Sequence, residues 1–335
     1  MKRLFTNVLC LAAMCMASLN LAADVMPDWQ DPQVVQRNRL PMSATFDAGG
    51  LNLSLNGLWK FNWNETAEAR PADFHSLSYD DSAWDEIPVP GLWELNGYGD
   101  PLYVNIGYAW RGHYENNPPY PPAEKNHVGQ YRRTFVIDED WKGKDVFLHI
   151  GSATSNVRVW VNGKEVGYSE DSKLEARFDI TKYVKEGENL IALEIFRWCD
   201  GTYLEDQDFF RFSGLARDVY VYSREKKRLE DIRVTGSASG EASLYAEVSK
   251  GVASVSFAIA DPSGNEVASV QVPVMTGNIS ENGRPCVETV LSVPSVKQWT
   301  AETPWLYTLS NNRIRNPLRI YNETSIKGLP WQSSG

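Results

Sequence analysis

The chain has 335 residues, enough for two or three domains with real cores. Apolar residues make up 42% of it and mean hydropathy is −0.39, the profile of a soluble globular protein. A net charge of −10 argues against nucleic-acid backbones as partners.

The first residues, MKRLFTNVLCLAAMCMASLNLAAD, begin with Lys2 and Arg3 and continue into an apolar run from Val8 to Ala17. This reads as a secretory signal peptide over residues 1–23, cut near Ala22 or Ala23, with export to the periplasm or outside as its consequence. A membrane anchor is the alternative, for which the run is short. Cys10 and Cys15 would leave with the signal. Cys199 and Cys286 would remain in separate domains as free thiols.

Residues 24–49 carry Pro32 and Pro41 with no lasting period, so they predict an extended arm lying on another surface. The 55–64 stretch, LNGLWKFNWN, opens the strands. Residues 78–97 suggest a helical turn around Trp84 and then an extended segment. The 109–127 loop holds four prolines, Pro118, Pro119, Pro121 and Pro122, which exclude a central strand. A β series follows at 130–137, 144–151 and 155–169, the last a hairpin turning at Asn162–Gly163. A brief helix and a Gly turn are expected at 178–189, then strands at 190–198 and 216–223. Short strands, Gly turns and little helix predict an all-β fold: a jelly-roll or other β-sandwich over residues 50–223.

Between the last two strands lies WCDGTYLEDQDFFRFSGLARD, Trp198–Asp218. Asp200, Glu205, Asp206 and Asp208 precede its first basic residue, Arg211, among the rings of Tyr203, Phe209, Phe210 and Phe212. Carboxylates this close repel unless cations, donors or water separate them. A sugar would suit both groups, its hydroxyls donating to carboxylates and its C–H face lying on a ring. A hard cation would suit the oxygens. The plain alternative is a solvated acidic loop with rings as core plugs.

From 229 to 309 the strand rhythm changes to that of a smaller immunoglobulin-like β-sandwich. Residues 310–335 alternate poorly and concentrate Arg313, Arg315, Arg319 and Lys327, so they predict an aberrant or disordered tail; a divergent terminal strand is the alternative. There is no internal repeat, no phosphate-binding Gly loop, no nucleophile triad and no zinc spacing. His75, His113, His127 and His149 form no metal pattern.

RWCDGTYLEDQDFFRFSGLARDV (197–219) resembles the glycoside hydrolase family 2 β-galactosidases. The likeness extends back through VGYSEDSKLEARFDIT (166–181), YVNIGYAW (103–110), SLNGLWKFNW (54–63) and DWQDPQVVQRNRLP (28–41). It implies a sugar-binding jelly roll, then an immunoglobulin-like sandwich, then a catalytic TIM barrel. A barrel needs roughly 250 residues, so the tail after Leu309 is not expected to hold one. The catalytic glutamates belong to the barrel, and no position here matches them. The chain alone is therefore expected to be an inactive part of a β-galactosidase. Its alternatives are a stand-alone carbohydrate-binding module and a scaffold that pairs with a barrel-containing chain or with itself.

The resemblance further implies that Asp208 reaches the galactose site and a bound Na⁺, and that Asn105 contacts substrate from the same side. It implies a peripheral Mg²⁺ near Asp28, Asp31, Val34, Glu170 and Asp200, with Asp31 and Glu170 departing from expected amides. Phe210 stands where relatives carry Trp. No nucleic-acid partner or membrane span is expected.

Overall fold

The computed structural model describes residues 26–42, 50–311 and 314–318. The signal-peptide reading of residues 1–23 and the tail from 319 to 335 lie outside the described residues. Among the described residues the fold is all-β. Every strand pair is antiparallel, and the helices are 3-10 turns. No helix among them is long and apolar enough to cross a membrane.

The first core lies between two sheets. Seven strands run in the order Gln36–Arg37, Lys164–Ser169, Val157–Val161, Gly187–Phe196, Val128–Ile137, Gly57–Asn64 and Asp85–Val89. Four run in the order Ala176–Asp179, Asp145–Ile150, Val219–Arg224 and Asn52–Ser54. Trp59, Phe61, Val159, Ile191 and Leu193 of one sheet meet Leu148, Ile150, Phe178, Val219 and Val221 of the other in one buried cluster. Alternate side chains of a strand point to opposite faces, so a strand with one wet face should show alternate burial. Gly187–Phe196 instead buries eight of its ten residues. Its outer face is covered too: Phe74 packs on Trp160 and Ala192, and Arg70 reaches Glu194 at 2.9 Å.

The 155–169 hairpin turns at Asn162 (φ 51°) and Gly163 (φ 76°). Two successive left-handed residues match the twist of the flanking strands, which is why Asn-Gly is placed there. Thr181–Tyr183 is a turn with no helix, so the helix expected near 178–189 does not form.

The second core lies between Leu229–Gly236, Glu241–Val248 and Cys286–Ser292 on one side and Glu266–Pro273, Ser254–Ala260 and Tyr307–Asn311 on the other. Strict alternation in Ser254–Ala260 buries Val255, Phe257 and Ile259. Ser310 and Asn311 continue the Tyr307–Asn311 strand, and Ile314–Leu318 pairs with it from Tyr307↔Leu318 to Asn311↔Ile314. The irregular tail expected from Ser310 is therefore strand as far as Leu318, apart from residues 312–313, which are not described.

Candidate functional site

The chain leaves the Gly187–Phe196 strand directly into Trp198. Asn126, at the end of the Pro-rich loop, clamps that residue from both sides. Its Nδ2 donates to the Trp198 carbonyl at 3.0 Å and its Oδ1 accepts the Trp198 N–H at 2.8 Å. Buried Trp110 packs edge-on to Trp198 and Tyr203, with centroids 5.3 and 5.1 Å apart. Residues 200–204 form a 3-10 turn, with Thr202 Oγ1 accepting the Cys199 N–H at 3.0 Å. The Tyr203 hydroxyl accepts from the Asn117 N–H and donates to the Tyr120 carbonyl, both at 3.0 Å. The Pro-rich loop thus holds the start of the acidic stretch through Trp110, Asn117, Tyr120 and Asn126.

Three of the four crowded carboxylates each have a donor of their own, and the fourth turns to a carboxyl. Glu205 accepts from the Ser172 N–H at 2.9 Å and from the Ser172 hydroxyl. Asp206 accepts from Arg211 Nη2 at 2.9 Å. The same guanidinium donates to the carbonyls of Glu205 (2.7 Å) and Gln207 (2.8 Å) and lies 4.3 Å from the Phe209 ring centre. Asp200 turns inward to Glu170. Asp208 points outward and accepts from the Tyr103 hydroxyl, whose pKa rises because the carboxylate holds its proton.

Phe209–Arg211 pairs with Leu102–Val104 in the register Phe209↔Val104 and Arg211↔Leu102. Asn105 follows Val104 and Asp208 precedes Phe209, so the two flank the last pair of that ribbon. Both are exposed, at the end of a two-stranded ribbon that also exposes Tyr103 (54%), Ile106 (68%) and Phe210 (55%). Phe210 stacks on Phe212 at 5.3 Å and meets Tyr103 edge-on at 5.3 Å, so its ring is oriented. Polar groups beside upright rings form one face that a sugar can lie against. Beneath the ribbon, Ser155, Ser172, Lys173, Glu205 and Phe209 line a cavity of about 30 Å³. That is room for water, so a sugar would have to bind on the ribbon's outer face.

The five residues expected around Mg²⁺ are not assembled alike. Both Asp28 oxygens are taken by cations. Arg37 forks onto them at 2.9 and 2.8 Å, and Arg158 reaches Oδ2 at 2.7 Å, so the carboxyl is held below its usual range. Asp31 Oδ1 accepts the Gln33 N–H, and the Val34 N–H bonds the Asp31 carbonyl. Glu170 and Asp200 do meet, but with Cys199. One donor atom from each lies within 4.8 Å of the others, and all three residues are buried. Burial and the neighbouring Asp200 push Glu170 up to about 8, and burial raises Asp200. Mg²⁺ requires near-octahedral oxygens. Here one expected carboxylate is already neutralised by two guanidiniums and a thiol stands among the rest, so the set does not fit Mg²⁺. Cys199, with Cys286, is a free thiol. Its adjacency to Asp200 was the signal in the sequence that it belonged to this cluster.

Among the histidines, His149 stacks on Tyr220 at 4.3 Å within the sheet and His75 stacks on Trp160 at 5.1 Å. His127 is a loop residue, yet it is buried against Trp63 with Nδ1 3.2 Å from Arg197 Nη1.

The model of the family "Glycosyl hydrolases family 2, sugar binding domain" matches residues 53–225. A β-galactosidase of Priestia megaterium is 37% identical over 86% of this chain, which spans 30% of that protein. The β-galactosidase large subunit of Leuconostoc lactis is 32% identical over 84% of this chain and 48% of its own length. Among solved structures, a Faecalibacterium prausnitzii β-glucuronidase superposes with a TM-score of 0.58 at 20% identity, over 84% of this chain and 47% of its own. That likeness speaks for the fold alone. The chain thus spans less than half of the curated relatives it is compared with here. The match to its sugar-binding domain over residues 53–225, around the ribbon that carries Asn105 and Asp208, places this chain in glycosyl hydrolase family 2.

Proposed function

We propose that this chain supplies one wall of a β-galactoside site and does not itself hydrolyse the glycosidic bond. In this reading residues 50–223 are the sugar-binding jelly roll and 229–309 an immunoglobulin-like domain. The arrangement of two cores, each between two antiparallel sheets, supports that division. The single observation that carries the reading is the ribbon end, where Asn105 and Asp208 flank the last pair, Val104 and Phe209, beside exposed Tyr103 and Phe210. Hydrolysis with retention needs two carboxyls about 5–5.5 Å apart and free to act on the sugar. The local candidates are otherwise engaged: Glu205 is bound by Ser172, and Asp206 by Arg211. The relatives are named for their activity as whole proteins. One is named a large subunit, of which this chain covers 48%; in this reading a barrel-containing partner supplies the opposite wall. Na⁺ at Asp208 would then take its further oxygens from that partner. The basic, then apolar, then small-residue N-terminus supports export.

Affinity follows from the single wall. Two or three hydrogen bonds contribute about 0.5–1.5 kcal/mol each, or roughly 1.5–3 to a charged group. Lost translational and rotational freedom costs about 4 kcal/mol or more. Galactose should therefore bind no tighter than about millimolar. NMR shift mapping with galactose should show weak perturbation centred on residues 103–106 and 208–210, abolished by Asp208→Ala. Micromolar binding there would instead establish a complete, stand-alone carbohydrate-binding module. No perturbation of the ribbon would refute the wall.

A further inference from the structure

Apart from the ribbon, a cavity of about 200 Å³ lies where the two units and their linker meet, enough for several waters. Arg177 and Arg224 of the first unit, Arg228 of the linker and Arg284 of the second line it, with Asp179 and Glu230. Four guanidiniums against two carboxylates leave its lining with an excess of two positive charges. Phe147 and Tyr222, stacked at 5.3 Å, form its apolar wall. The side chains of Arg224, Arg228 and Glu230 are only 10%, 13% and 11% exposed. Carboxylates outside the lining anchor three of the guanidiniums. Glu175 lies 3.2 Å from Arg177 Nε, Asp145 2.6 Å from Arg228 Nη1 and Glu247 3.4 Å from Arg284 Nη1. Glu230 serves both Arg224, at 3.3 Å, and Arg228, at 2.8 Å. Among the described residues, Nη2 of Arg228 and both Nε and Nη2 of Arg284 then donate no hydrogen bond.

Like charges this close repel most where water is scarce. Burial lowers the pKa of Arg224, Glu230 opposes the shift, and the charges of Arg228 and Arg177 add to it. A dianion with several oxygens would relieve the repulsion and accept the remaining N–H groups. Planar guanidinium forks match oxyanions in geometry as well as charge, which a spherical halide cannot use. We infer that this junction is a binding site for a tetrahedral oxyanion of the sulfate or phosphate type, free or carried on a small sugar. An oxyanion there bridges Arg228 of the linker and Arg284 of the second unit beside the arginines of the first. Its binding therefore joins the two units.

The test uses the full chain, with inorganic sulfate as the probe and NaCl holding the ionic strength constant. In NMR titrations sulfate should shift the resonances of Arg177, Arg224, Arg228 and Arg284 saturably in the millimolar range or below, and phosphate should compete for the same residues. Chloride should not produce these shifts. Arg284→Gln changes a side chain that is 27% exposed, so the fold should survive, as circular dichroism can check. It should weaken sulfate roughly tenfold, the loss expected for a charge-assisted hydrogen bond. Arg233→Gln, an exposed arginine of the same unit, should leave sulfate affinity unchanged. Galactose 6-sulfate separates the two sources. Binding tighter than that of sulfate identifies a sugar-borne group, and binding no tighter identifies the free ion; galactose itself should leave the junction unshifted. Absence of saturable shifts at the junction, equal shifts with chloride, or unchanged sulfate affinity in Arg284→Gln would each overturn the assignment.

Discussion

Arg211 reaches three oxygens of the segment just before it, on Glu205, Asp206 and Gln207, while its face covers Phe209. A planar fork can do this and an ammonium cannot. Arg211→Met should cost about 1–2 kcal/mol in urea unfolding and speed amide exchange across residues 205–208. Unchanged exchange would mean that the loop is held elsewhere. His127 carries a different kind of stability. Burial, then the charge of Arg197, holds its pKa at about 4 against an ordinary 6.5. The unfolded chain takes up that proton first as pH falls, so the contribution is complete above pH 6.5 and is lost between 6.5 and 4. Unfolding free energy should fall by about 1 kcal/mol more per pH unit in that window for the wild type than for His127→Gln. Parallel pH curves would contradict this. Asp208 and Asn105 were legible in the sequence through resemblance. Their juxtaposition was not, because it depends on a register between strands some hundred residues apart. Nor were the partners of Asp208, Glu205 and Asp200, since Tyr103 arrives from a distant strand and Ser172 and Glu170 from the loop after Lys164–Ser169.

Strands were the most legible elements, because period-2 burial writes itself into the sequence wherever one face is wet, as in Ser254–Ala260. Gly187–Phe196 shows the limit. Its outer face is covered by a loop that carries no periodic signal, and the covering residue is Phe74, 1% exposed. Phe74→Ala should cost about 3–5 kcal/mol in chemical denaturation, as much as a residue of the inter-sheet core. A cost under about 1 kcal/mol would show that the cover is only loosely packed. The Ile314–Leu318 strand was only the alternative reading of the tail, for the opposite reason. Its sequence, IRNPL, does not alternate and is interrupted by Pro317, yet it pairs along Tyr307–Asn311. Backbone pairing at a sheet edge does not require alternating side chains.

On the scale of the whole molecule, two separate cores meet at a short linker. Arg228 there bonds Asp145 of the first unit at 2.6 Å and Glu230 at 2.8 Å, with its guanidinium 5.0 Å from the Phe147 ring centre. The ribbon with Asp208 belongs to the first unit, so the proposed wall is built without the second core. The division of labour between this chain and a catalytic partner is the central claim, and turnover tests it most directly. The purified chain should hydrolyse an aryl β-galactoside no faster than buffer, with or without Mg²⁺ and Na⁺. Turnover on the order of 1 s⁻¹ that survives repurification and disappears in Glu205→Gln would contradict the claim and return catalysis to the acidic stretch itself.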